Sequence, residues 1–179
     1  MKNYPKIIKT TVDYKNPRMK ILKSEAIFPD KRIKEYFVLD RYGDFSVVIP
    51  LFPDLSTMLV GQYRLPVDAY SWEFPMGSVK GKSPLQMAKQ ELREETGIRA
   101  KKFRKLGEFY VAPGYSNQKV HIYIATGLSR GEPDPEPFEI LEVKKVPLED
   151  VKTMIKDGTI KDGPTILANS ALERYLEKQ

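Results

Sequence analysis

Along the chain, apolar positions alternate with polar ones in short runs separated by turn residues, and three stretches switch to a helical period. Lys34–Leu39 and Asp44–Pro50 read as strands joined by the turn Asp40-Arg41-Tyr42-Gly43, and Ser56–Tyr63 as a third strand entered through Pro53 and Asp54. Residues 1–30 are lysine-rich, with one candidate strand over Met19–Ile27. Arg64–Ser71 reads as a loop, Lys102–Val111 as extended chain interrupted by Gly107, and Val111–Gln118 as turn-rich. In Val120–Ala125, Val120, Ile122 and Ile124 fall on one side, with His121 and Tyr123 on an outer one. The proline-rich acidic stretch Gly131–Pro137 is irregular, and Glu139–Val146 resumes as a strand.

The helical period appears first after Ser83, an N-cap candidate followed by Pro84 at the first helical position and Gln86 where a capping box needs it. Leu85, Ala88, Leu92 and Thr96 share one face, and Gly97 ends the pattern as a C′ glycine. Two further helices follow. One runs over Leu148–Lys156, with Leu148, Val151 and Ile155 inward and Gly158 at its end. The other is opened by Pro164, with an apolar stripe of Ile166, Leu167, Ala171, Leu172 and Tyr175. Many strands with three scattered helices make the fold class α+β.

Composition narrows the picture. The 179 residues include 41% hydrophobic and 30% charged, as in an ordinary globular domain, and no apolar run approaches the roughly 20 residues that span a bilayer. The absence of cysteine removes disulfides, thiol nucleophiles and thiolate metal sites. The basic N-terminus lacks the apolar core of a signal peptide, so a cytoplasmic location is the expectation. A net charge of +6 raises the question of nucleic acid, but the 30 basic residues are scattered, with only short clusters such as Lys101, Lys102, Arg104 and Lys105. The same positive field attracts a small phosphorylated anion.

Chemistry concentrates in Gly77–Ile98, GSVKGKSPLQMAKQELREETGI. Glu91 and Glu95 lie an i,i+4 step apart on the flank beside the core face, with Glu94 next to Glu91. Carboxylates so crowded repel unless a cation neutralises them, and oxygen donors of this kind suit Mg²⁺ or Mn²⁺. A plain solvated acidic face is the competing reading of such a string. The stretch resembles the Nudix hydrolase signature, a glycine-led loop followed by a helix reading REUxEExGU with U aliphatic. Glu91, Leu92, Glu94, Glu95, Gly97 and Ile98 match, and Gly77 stands for the opening glycine. The loop is one residue short, Lys82 replaces the loop glutamate, and Gln90 replaces the arginine that pairs with it in the family.

Beyond the signature, Gln62-Tyr63-Arg64, Trp72-Glu73-Phe74-Pro75, Pro113-Gly114, Glu139-Ile140-Leu141-Glu142-Val143 and the ending KDGTIKDGPTILANSAL resemble the ADP-ribose pyrophosphatase branch, whose loop acid is Gln118 here. The resemblance implies a helix–sheet–helix sandwich with a mixed sheet, and a division into residues 1–44, serving dimerisation and substrate contact, and a Nudix domain over 45–179. It implies metal ligation by Glu91, Glu95, Glu94, the Met76 carbonyl and Glu139. Arg64 would hold a substrate phosphate and Glu73 would contact substrate or brace the site, with Pro113 and Gly114 also on the substrate. The group that positions or deprotonates water would be Glu139, with Glu136 or Glu94 as alternatives. The implied activity is Mg²⁺-dependent hydrolysis of a nucleoside diphosphate-sugar by a homodimer, ADP-ribose giving AMP and ribose 5-phosphate. GDP-mannose is an alternative substrate. Ligand sensing without hydrolysis is another reading, favoured by Lys82 and Gln90 and opposed by the three acids. His121 and Trp72 read as structural, and the glycine loop lacks Walker A spacing.

Overall fold

The computed structural model describes residues 4–79, 81–135 and 137–178. The chain forms two compact units. One comprises Met1–Asp44 with Tyr110–Lys119, the other Phe45–Phe109 with Val120–Gln179.

The first unit contains an antiparallel sheet of β1 (Lys6–Lys15), β2 (Lys20–Ile27) and β3 (Ile33–Asp40), with β2 in the middle. β1 was not legible in the hydrophobic pattern, because every one of its residues is exposed. It is held by its ladder to β2, from Lys6↔Ile27 to Lys15↔Lys20, which is interrupted at two places by register shifts. Cross-strand ion pairs such as Lys23–Glu35 at 2.6 Å decorate the solvated face. Val111–Gln118 returns to this unit, where the Leu39 N–H donates to the Tyr115 carbonyl at 2.7 Å.

The second unit is the sandwich. β4 (Phe45–Pro50) runs parallel to β9 (Lys119–Arg130) and antiparallel to β7 (Met76–Ser78), and β8 (Ile98–Tyr110) lies beyond β9, so the sheet is mixed. A second sheet sets β5 (Ser56–Arg64) between β6 (Ala69–Glu73) and β10 (Glu142–Pro147). Helix α1 (Pro84–Thr96) covers one face of the mixed sheet, where Ala88 and Leu92 cluster with Val48, Tyr123 and Ala125. Helices α2 (Leu148–Lys156) and α3 (Gly163–Leu176) cover the other. There Val151, Ala168, Ala171 and Leu172 join Val47, Ile49, Val120, Ile122 and Ile124. β4 and β9 are therefore buried on both faces, and the layers are helix–sheet–helix.

Several sequence expectations change for that reason. His121 does not lie on an outer side. Over Val120–Ala125 its strand has no solvated face, and His121 is 7% exposed with Glu108 at 3.6 Å. Leu65–Val67 is a short 3₁₀ turn and Ala69–Glu73 a strand, where the sequence suggested a loop. The last strand starts at Glu142, leaving Glu139 and Ile140 in irregular chain, with Ile140 92% exposed. On α3, Ile166 faces outward while Ala168 and Asn169 are buried. Among the described residues no helix is long and apolar enough to cross a membrane.

Candidate active site

The site is built on α1. Its start is set by Ser83, whose side chain accepts from the Gln86 N–H while the Gln86 side chain accepts from the Ser83 N–H, a complete capping box. Its end is set by Gly97 at φ 70°, a left-handed position that glycine takes without cost. A side chain at Gly97 would also collide with the loop, since its Cβ would lie 2.5 Å from the Gly131 carbonyl oxygen. The acidic loop is further held by the Asp134 N–H, which donates to the Glu94 carbonyl at 2.8 Å.

Between these ends, β7 brings Met76 and Gly77 against the helix. The Met76 N–H donates to Glu95 Oε2 at 3.1 Å. Gly77 makes room for Glu91: a Cβ there would stand 1.8 Å from Glu91 Oε1. Glu95 is 4% exposed, and its carboxyl is pushed well above the ordinary carboxylate range. Burial is the largest cause and the charge of Glu91 the next. The Met76 N–H opposes them, Glu139 adds to them, and Arg64 opposes them again. Glu91, Glu139 and Arg64 thus all act on Glu95.

This arrangement fits a divalent cation. A buried carboxylate on which two other carboxylates act is disfavoured in its charged form, a bound cation would offset that, and all the donors are hard oxygens. Among the described residues no three acids or histidines are already drawn into a ready-made metal cluster. A cation would therefore rest on Glu91 and Glu95, with further oxygens supplied by groups such as the Met76 carbonyl and Glu139. We expect Gly77→Ala to leave the fold intact but to weaken Mg²⁺ affinity by about tenfold or more, because the methyl displaces the Glu91 carboxylate. Activity titrated against Mg²⁺ concentration, with circular dichroism as the folding control, checks this. An unchanged Mg²⁺ midpoint would show that Glu91 is not held there for the cation.

Glu94 is placed differently. Gln90 Nε2 donates to its Oε2 at 2.9 Å and Arg93 to its Oε1 at 2.7 Å. The Lys82 ammonium in turn donates to Gln90 Oε1. The two substituted signature positions therefore meet each other, with the donor now on the loop and the acceptor on the helix, and the tie from loop to helix survives.

Arg64, at the end of β5, forks onto Glu73 of β6. Its Nε donates to Oε1 at 2.8 Å and its Nη2 to Oε2. The Glu73 side chain is 3% exposed and that of Arg64 39%. The pair raises the Arg64 pKa, chiefly through the hydrogen bond to Glu73, and Asp162 and Glu95 add their charge. Asp162 is a member of this group that the sequence reading missed. It N-caps α3, accepting from the Thr165 N–H at 2.8 Å, and burial and then Glu73 hold its carboxyl above its usual range. The Asp-Gly-Pro start of the helix was the available signal. Thr165 also accepts from the Phe74 N–H at 3.1 Å, tying this corner to the segment that leads to Met76.

Of the remaining candidates, Glu139 lies outside any strand yet acts electrostatically on Glu95. Glu136 lies outside the described residues. Pro113 and Gly114 belong to the first unit, in a turn where the N–H groups of Tyr115 and Ser116 donate to the Ala112 carbonyl.

Fold and site together describe a helix–sheet–helix sandwich whose acid-bearing helix follows a glycine that clears space for one of its carboxylates. The NUDIX domain model matches residues 44–167. The chain is 36% identical over 129 residues to the ADP-ribose pyrophosphatase of Bacillus subtilis (strain 168), covering 70% of each. It is 29% identical over 139 residues to the GDP-mannose pyrophosphatase of Yersinia enterocolitica serotype O:8 / biotype 1B, covering 73% of each. A crystal structure of an ADP compounds hydrolase superposes with a TM-score of 0.86 at 20% identity, over 98% of this chain and 96% of that one, a likeness of fold. The chain belongs to the NUDIX family and is a Nudix hydrolase.

Proposed function

We propose that the protein hydrolyses the diphosphate bond of a nucleoside diphosphate-sugar with Mg²⁺, and that its substrate is ADP-ribose, giving AMP and ribose 5-phosphate. The observation that carries this reading is the buried Glu95, held by the Met76 N–H and crowded by Glu91 and Glu139. The similarity to an ADP-ribose pyrophosphatase supports the choice of substrate. Glu91 and Glu95 would hold the cation, which when bound would supply charge screening at the diphosphate and a more acidic water. Arg64, braced by Glu73, presents a fixed positive charge to the phosphates beside Glu95. Glu139, in irregular chain but electrostatically coupled to Glu95, accepts the proton of the attacking water, with Glu136 as the alternative. Glu94, held by Gln90 and Arg93, acts through the helix or through water.

On this reading Glu139→Gln lowers kcat by on the order of 10²–10⁴-fold with little change in KM. Parallel kinetics of Glu136→Gln decide between the two. A Glu139→Gln kcat within about threefold of wild type, with collapse in Glu136→Gln, would move the base to Glu136.

GDP-mannose remains the second reading, because a GDP-mannose pyrophosphatase matches over a similar length. Turnover of a nucleotide-sugar panel with and without Mg²⁺, with products separated by chromatography, ranks the two. A homodimer through the first unit belongs to the same reading. It is supported by the exposed apolar residues of the three-stranded sheet, among them Ile7, Val12, Ile33 and Phe37. Light scattering that found an active monomer at micromolar concentration would remove it.

A further inference from the structure

A pocket of about 500 Å³ lies between the last turns of α3, the first turn of α2 and the residues that lead into β5. It is remote from the candidate active site. α3 and β5 each have one end at that corner, at Asp162 and Arg64, and the other end here. The 14 residues of α3 alone span about 21 Å. The volume is that of a small-molecule site.

In a chain of net charge +6, the rim of this pocket is acidic. Four carboxylates line it, those of Asp54, Glu149, Glu173 and Glu177. Lys145 pairs with Asp54 at 2.7 Å, and Lys152 with Glu149 at 2.7 Å and Glu173 at 3.8 Å, so two lysines face four acids. Among the described residues the Glu177 carboxylate has no hydrogen-bond or ion-pair partner. Glu173 and Glu177 also stand at the C-terminal end of α3, where the helix dipole opposes negative charge and favours a cation. Beneath the rim, Leu148, Leu172 and Leu176 form an apolar floor around Asn169. Asn169 is 6% exposed, and among the described residues nothing hydrogen-bonds its amide, which opens into the pocket. A buried amide of this kind needs a partner, and the pocket is the only side from which one can come.

These features together select a cation with an apolar body. A bare metal ion does not fit, because among the described residues no three acids converge as a metal site requires. Asn169, Glu173 and Glu177 follow one another at i,i+4 steps, so their acceptors stand about 6 Å apart along α3, with Leu172 and Leu176 between them. In an amine chain, three or four methylenes part successive nitrogens by about 5–6 Å. We propose that this pocket binds an aliphatic polyamine laid along α3. Its ammonium groups donate to Asn169 Oδ1, Glu173 and Glu177, and its methylenes cover Leu172 and Leu176. Lys145 and Lys152 keep Asp54 and Glu149, so no existing ion pair at the pocket has to be given up except the long one from Lys152 to Glu173.

The test is calorimetry of spermidine against wild type, Asn169→Leu and Glu177→Gln, with Mg²⁺ present to compete for the carboxylates of α1. Leucine has the branched shape of asparagine and removes an unpaired amide, and Glu177 is exposed, so both variants retain the fold, with circular dichroism as the control. One equivalent of spermidine is expected to bind wild type at sub-millimolar concentration. Asn169→Leu weakens binding about tenfold or more, as for a lost buried hydrogen bond to a charged group. Glu177→Gln weakens it about two- to fivefold, as for an exposed ion pair. n-Butylamine, which offers a single ammonium, binds far more weakly than spermidine. No binding to wild type at millimolar spermidine overturns the proposal, as does equal affinity of all three proteins, which would place the amine on other carboxylates. Equal affinity for n-butylamine overturns it by removing the row of acceptors. Binding of a trilysine peptide in place of spermidine also overturns it, by making the pocket a contact for a basic protein.

Discussion

Glu95→Gln is expected to abolish Mg²⁺-dependent turnover while leaving the fold intact. The amide keeps the size of the side chain and can still accept the Met76 N–H. It loses the charge that a cation needs at the most buried carboxylate of the group. Cation binding contributes several kcal/mol to transition-state stabilisation, so the fall in kcat should be about 10²–10³-fold or more, not recovered by added Mg²⁺. The metal-free variant should unfold at no lower temperature than wild type. The replaced carboxylate is disfavoured in its charged form by burial and by Glu91, so its loss relieves repulsion. Steady-state kinetics across a Mg²⁺ series, with thermal melts of the metal-free proteins, check both halves. Near-wild-type activity at low Mg²⁺ would remove Glu95 from the cation site.

Arg64→Ala is expected to act twice, and the two effects separate. Truncation leaves Glu73 buried without its partner, beside Asp162, and with the arginine itself 39% exposed the loss is about 1–3 kcal/mol. Arg64→Ala combined with Glu73→Gln should recover much of that stability, because the uncompensated charge is gone. It should not recover substrate binding. KM remains high in both variants if the guanidinium contacts phosphate in the ground state as well as in the transition state. Denaturant melts and kinetics on the single and double variants are the measurements. Recovery of KM along with stability would make Arg64 a brace for Glu73 and nothing more.

What could be read in advance follows from how local each signal is. The limits of α1 lie in Ser83, Pro84, Gln86 and Gly97, and each acts within a few residues of itself. The acids could be placed for the same reason, since i,i+4 spacing on a helix is geometry. β1 could not be read, because a strand with no buried residue owes its existence to its partner β2. His121 looked solvated because alternation usually separates core from water, whereas β9 lies between two layers of helices. Nor does the fork of Arg64 onto Glu73 appear in the spacing. It joins residues across the β5–β6 hairpin, and Asp162 enters from a third element. Lys82 and Gln90 were visible as departures from the signature, but only the structure shows that they bond to each other.

The central claim, that carboxylates on α1 hold a cation for diphosphate hydrolysis, is tested most directly by incubating purified protein with ADP-ribose over a Mg²⁺ series and separating the products. AMP and ribose 5-phosphate are expected in equal amounts, formed only with the divalent cation and lost on chelation. Unaltered ADP-ribose at every Mg²⁺ concentration, together with no turnover of any other nucleoside diphosphate-sugar, would contradict it.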